Sequence, residues 1–113
     1  MINILIGFQS SRFTELTVCG HGSDPSGVSL ACNSVSILTQ TFEESVLQLV
    51  NKEAFDVFNS SGKSKILRNG NIIGTEQNLI LDCLVKSYVI GIRRVQLSFP
   101  DEIVLSLGDR PVI

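Results

Sequence analysis

The stretch LTVCGHGSDPSGVSLACNSVS, residues 16–36, changes its apolar period midway, and that change decides the fold. Leu16 and Val18 alternate with Thr17 and Cys19, the period of two of a half-buried strand. The segment Gly22-Ser23-Asp24-Pro25-Ser26-Gly27 has turn chemistry, with Pro25 suited to the second position of a β-turn and a glycine at either end. From Cys32 to about Val50 the apolar residues Val35, Leu38, Phe42, Val46 and Leu49 recur at steps of three and four, which predicts one stripe of a helix packed on a sheet. Cys32 lies three residues before Val35, at the edge of that stripe, so its sulfur is expected at the base of a pocket beneath the Gly22–Gly27 loop.

Upstream, Ile2, Ile4 and Ile6 alternate with Asn3 and Leu5, and Gln9-Ser10-Ser11 reads as the turn of a hairpin leading into the Leu16 and Val18 strand. Downstream, Phe55–Phe58 and Lys63–Arg68 are short strand candidates about the turn Asn59-Ser60-Ser61-Gly62, and Asn69-Gly70 is a further tight-turn signal. Ile80, Leu84, Tyr88, Gly91 and Val95 then keep helical spacing, predicting a helix from about Thr75 to Ser98, although Arg94–Ser98 alone alternates equally well as a strand. Pro100 stops it, and Ile103-Val104-Leu105 closes the chain as a strand. Strand, strand, helix, strand, strand, helix, strand makes an α+β fold of two layers, a mainly antiparallel sheet with two helices on one face.

The chain of 113 residues is expected to be a single domain spanning residues 1–113, burying roughly two thirds of its unfolded surface. Net charge is −2, with nine Lys and Arg residues scattered along the chain. Without a basic stripe, direct nucleic-acid binding is not expected. No apolar run approaches the ~20 residues of a membrane span, and Met1-Ile2-Asn3 lacks the charged start of a secretory signal, so a cytoplasmic setting without membrane association is expected. Three cysteines in such a setting argue against a disulfide framework. A mean hydropathy of +0.29 is apolar for a small domain, and the second sheet face is expected to meet another copy in a homodimer.

The chemistry converges on His21, the sole histidine, and Cys32, eleven residues later. Histidine moves protons near neutral pH, and unpaired N–H groups at a helix N-terminus favour a negatively charged thiolate. The pair outlines a nucleophile and its base, with the amides of Cys32 and the first helical turn as oxyanion donors. Strict alternation would put Cys19 and His21 on the face away from Leu16 and Val18; Gly20 is the residue able to release the chain from it. Other readings are weaker. Cys19, His21 and Cys32 lack a convincing fourth metal ligand and any Cys-x-x-Cys pairing, so no metal or other cofactor is expected. Gly62-Lys63-Ser64 fails as a phosphate-binding loop, because Val57 stands where a glycine is required. Cys83 is expected on the buried stripe of the second helix, and Glu43-Glu44 beside a solvated helix face.

Gly20-His21-Gly22, the loop, and Ala31-Cys32-Asn33-Ser34-Val35-Ser36 together resemble the ribosomal-processing cysteine protease family, often called Prp. The segment from Gly91 to Leu105, a helix followed by Phe99-Pro100 and a last strand, is similar to the family's ending and favours helix for Arg94–Ser98. The likeness runs from about Phe13 to Leu107. Two departures stand out: Ser29 occupies a position where the family commonly has Asp, and Asn33 and Ser34 stand where it prefers Ala. The resemblance implies a cysteine endopeptidase with His21 and Cys32 as its dyad, and Gly20, Gly22, Ser29, Asn33 and Ser36 as substrate-binding residues. It implies as partner the N-terminal segment of a large-subunit ribosomal protein, protein twenty-seven, whose extension is cut after an aromatic-rich motif. The alternative is a catalytically weakened peptide-binding or ribosome-assembly protein of the same fold.

Overall fold

The computed structural model describes residues 1–20 and 29–110. His21, Gly22 and the rest of the expected loop, through Val28, lie outside the described residues.

Strands β1 (Ile2–Gln9) and β2 (Arg12–Gly20) form the expected hairpin. Its two-residue turn places Ser10 at φ 52° and Ser11 at φ 63°, the double left-handed geometry that matches the twist of paired strands. Ile2, Ile4 and Ile6 pair with Gly20, Val18 and Leu16, so one face of the hairpin is apolar. A bulge between Gly7 and Phe8 brings Phe8 opposite Phe13, and Phe13 is buried on that same face. Strands β3 (Phe55–Ser60) and β4 (Lys63–Arg68) make a second hairpin in which Asn59 and Ser60, expected in the turn, extend the strand instead. Only Ser61 and Gly62 turn, with Gly62 at φ 74°. The sheet order is β3-β4-β2-β1-β5, and β5 (Ile103–Arg110) runs parallel to β1 while every other pair is antiparallel.

Helix α1 (Leu30–Ser45) and helix α2 (Thr75–Ser98) provide the second layer. Ile2, Ile4, Ile6, Leu16, Ile66 and Ile103 from the sheet meet Val35, Phe42, Leu81, Val85, Tyr88 and Ile92 from the helices in one core. Each such side chain contributes roughly 1.5–3 kcal/mol on full burial. Phe42 stacks this core together, its ring centroid 5.5 Å from that of Phe13 and 5.1 Å from that of Tyr88. The helices approach closely at Gly91, where a Cβ would come within 3.0 Å of Leu38 Cδ2. The α+β, two-layer expectation is thus met.

Three expectations about the helices are corrected. Helix α1 passes into a π-helical segment, Val46–Asn51. Its i to i+5 winding shifts the stripe, so Val50 is 5% exposed and Leu49, expected inside, is 58% exposed. On α2 the buried stripe is Leu81, Val85, Tyr88 and Ile92, rotated from the predicted one because this helix carries apolar residues around most of its circumference, Leu79, Ile90 and Leu97 being exposed. Cys83, two residues past Leu81, is therefore exposed instead of in the core. Glu43, expected beside solvent, is 5% exposed. Gln77 joins the two helical units: its Oε1 accepts the Gly74 N–H at 2.8 Å at the start of α2, and its Nε2 donates to the Val50 carbonyl at 2.8 Å.

Candidate active site

Helix α1 begins where Ser29, in extended backbone, caps it. Ser29 Oγ accepts the backbone N–H of Cys32 at 3.0 Å, the usual way a serine satisfies an unpaired amide of the first turn. Cys32 is therefore the third residue of the helix, and its side chain packs partly against the core. The expectation that the Cys32 amide meets an oxyanion is corrected, since Ser29 takes that donor. The amides of Leu30 and Ala31 are left as first-turn donors without an intrahelical acceptor.

At the other side stands the end of β2. Cys19 pairs with Asn3 and Lys63 on the outer sheet face, while α1 covers the inner one, so Cys19 and Cys32 are not brought together. Gly20 has φ +102°, and a Cβ there would overlap the Met1 carbonyl oxygen. Its N–H donates to the Gly62 carbonyl at 3.0 Å. The chain thus leaves strand geometry at the residue before His21, in a conformation that glycine alone adopts without strain.

Between these parts lies a cavity of about 340 Å3, one wall of which is Val18, Gly20, Cys32, Ser36 and Thr39. The tip of the β3–β4 hairpin, beside β2 in the sheet, adds Asn59, Gly62, Lys63 and Ser64 to the lining. Of the expected substrate-binding residues, Gly20 and Ser36 line it, Ser29 caps the helix above it, and Asn33 is exposed outside its lining. Among the described residues no three His, Cys, Asp or Glu side chains cluster as a metal site.

Sequence reasoning missed a polar stripe. Cys32, Ser36, Thr39 and Glu43 recur at steps of four, three and four and follow one line along α1. Thr39 Oγ1 and Tyr88 OH are 2.8 Å apart in the core. Burial pushes the Tyr88 hydroxyl far above its ordinary range, the Thr39 hydrogen bond opposing and nearby Glu43 adding to the rise. Burial likewise raises the Glu43 carboxyl above the usual glutamate value, and a hydrogen bond from Ser64 partly offsets it. The helical spacing of four polar residues carries the signal, but Glu43 beside Glu44 reads as a solvated pair.

The family model for cysteine protease Prp matches residues 1–104. The chain belongs to the cysteine protease Prp family. Its fold is that of solved Prp structures. The essential ribosomal processing protease Prp from S. aureus, in complex with a covalently linked product peptide, superposes with a TM-score of 0.77 at 15% identity, over 96% of this chain and 100% of that one. The same protease with a substrate peptide gives 0.75 at 14% identity, with the same coverage. SMU.848 from Streptococcus mutans gives 0.73 at 16% identity, over 97% of this chain and 96% of that one. At these identities the likeness shows the fold alone. Comparison with curated proteins found no match. In this chain Ser29 caps the helix, a task that Asp and Ser perform equally well. What serine does not bring there is a negative charge.

Proposed function

We propose that this chain is a cysteine endopeptidase that removes an N-terminal extension from a large-subunit ribosomal protein, protein twenty-seven, with Cys32 as nucleophile and His21 as general base. The carrying observation is that Cys32 and Gly20, the residue before His21, line one cavity from two different elements. In this reading the Cys32 sulfur attacks the scissile carbonyl, and the Leu30 and Ala31 amides receive the developing oxyanion. His21 takes the thiol proton and returns it to the departing amine, and water then cleaves the thioester with His21 as base. Gly20, Gly22, Ser29, Asn33 and Ser36 surround the peptide or shape its path. The mild negative charge of the protein suits a basic ribosomal substrate.

The expected assembly is a cytoplasmic homodimer. It is supported by the outer sheet face, where Leu5, Phe58 and Val104 are exposed, and light scattering on the purified chain tests it: a monomer mass at micromolar concentration contradicts it. A second reading, peptide binding with weakened or no cleavage, is favoured by Ser29 standing in place of the family acid. A peptide carrying a paired-phenylalanine extension separates the two. Cleavage that Cys32→Ser and His21→Ala each abolish without unfolding supports the protease; binding without cleavage supports the alternative.

A further inference from the structure

Three oxygen atoms converge on one hydroxyl at the cavity wall. Ser64 Oγ lies 3.1 Å from Glu43 Oε1, 3.2 Å from Glu43 Oε2 and 2.6 Å from Asn59 Oδ1. A serine hydroxyl has one proton to give, and an ionised carboxylate and an amide oxygen have none. With Glu43 ionised and Asn59 Oδ1 facing Ser64, one of the two contacts would hold no proton.

Two arrangements balance the protons. In the first, protonated Glu43 donates to Ser64 and Ser64 donates to Asn59 Oδ1, which leaves the Asn59 NH2 group for the cavity. In the second, Glu43 is ionised and Ser64 donates to it. The Asn59 carboxamide then turns over, its Nδ2 donating to Ser64 and its oxygen facing the cavity. Asn59 and Ser64 line the same cavity as Cys32, so the difference is felt where a peptide would lie.

We infer that Glu43, acting through Ser64, sets whether Asn59 offers the bound peptide a hydrogen-bond donor or an acceptor. Asn59 is on this view a specificity-determining residue and Glu43 a positioning residue, an inference that rests on the peptide-binding reading of the cavity. The first arrangement selects peptide carbonyls or acceptor side chains. The second selects N–H donors.

The surroundings leave Glu43 as the group that switches. Helix α2 faces it with Tyr88, which stays neutral well past neutrality. Strand β2 contributes Val18 and Leu16 on the inner face, β3 contributes Asn59, and β4 contributes Ser64, with Lys63 at the cavity rim. Among the described residues no lysine or arginine is paired with Glu43, whose raised pKa comes from burial.

NMR titration of the full chain between about pH 4 and pH 9 tests this, following the Glu43 carboxyl carbon and the Asn59 side-chain amide. The two are expected to titrate with one shared midpoint above the ordinary glutamate value. In Ser64→Ala the Glu43 signal still titrates and the Asn59 signal no longer follows; in Glu43→Gln, which keeps a donor toward Ser64 at every pH, the Asn59 signal stays flat. An Asn59 amide that ignores the Glu43 midpoint in the natural chain, or follows it unchanged in Ser64→Ala, overturns the inference. The pH profile of peptide KM gives a separate readout: a change at the shared midpoint that Glu43→Gln removes supports the inference, and a KM that passes through that midpoint unchanged overturns it. Absence of any cleavage or peptide binding, beside an intact coupling of the two signals, counts against the proposed function and for the switch itself.

Discussion

The Ser29 hydroxyl holds the amide of Cys32 at 3.0 Å, so the residue that starts helix α1 also fixes the backbone of the candidate nucleophile. Ser29→Ala removes the cap and is expected to cost about 1 kcal/mol, which lowers the melting temperature by roughly 4 °C in a domain of this size. Ser29→Asp keeps the cap and adds favourable charge at the helix N-terminus. Thermal unfolding of the two variants checks this: equal losses in both would show that the cap contributes nothing.

Gly20 combines φ +102° with a close approach to the Met1 carbonyl. Gly20→Ala must either strain the left-handed backbone, at about 1–2 kcal/mol, or shift the end of β2 away from β1. Denaturant unfolding is expected to show that loss, and peptide cleavage to fall further than stability does, because the shift would move His21. Unchanged stability and activity would mean that the strand end tolerates a side chain.

Burial raises the Glu43 carboxyl above its unfolded value of 4.5, which ties stability to pH with a definite sign. Between the unfolded and the folded value the native chain holds a proton that the unfolded chain has released, so stability falls as pH rises through that window. It is fully present below pH 4.5 and levels off above the folded value. Urea unfolding across this range is expected to show the decline in the natural chain and a flatter profile in Glu43→Gln. Parallel profiles in the two proteins would place the dependence elsewhere.

The β1–β2 turn is built from Ser10 and Ser11, both with positive φ, where an asparagine followed by a glycine is the preferred pair. The double substitution Ser10→Asn with Ser11→Gly is expected to stabilise the chain by about 1 kcal/mol, measured by the urea midpoint. The turn is at the far end of β2 from Gly20, so cleavage should not change. A lower midpoint would show that the serines make compensating contacts.

Much of this architecture is legible in the residues themselves. Alternation of Ile2, Ile4 and Ile6 marks the first strand, and helical spacing marks α2 from Thr75, while its last turns, Arg94–Ser98, are read as helix only through the family likeness. What escaped depends on geometry with no local signature. The π-helical segment exchanges Leu49 for Val50, and an α2 that is apolar nearly all round does not reveal which stripe is buried, so spacing alone puts the exposed Cys83 inside. Of the candidate site, Cys32 was expected at the edge of the buried stripe and is found there, partly buried on the cavity wall. Glu43 escaped because its partner, Ser64, is twenty-one residues away on β4. His21 and Gly22 lie outside the described residues, so their part in the site stands as a proposal.

The most direct measurement is rapid quenching of the chain with the extended ribosomal-protein peptide, followed by intact-mass analysis and peptide mapping. The account predicts a transient adduct whose mass gain equals that of the released N-terminal fragment less one water, as a thioester on Cys32, absent from Cys19 and Cys83 and lost in Cys32→Ser. Cleavage that proceeds undiminished in Cys32→Ser, with no adduct in the natural chain, would contradict it.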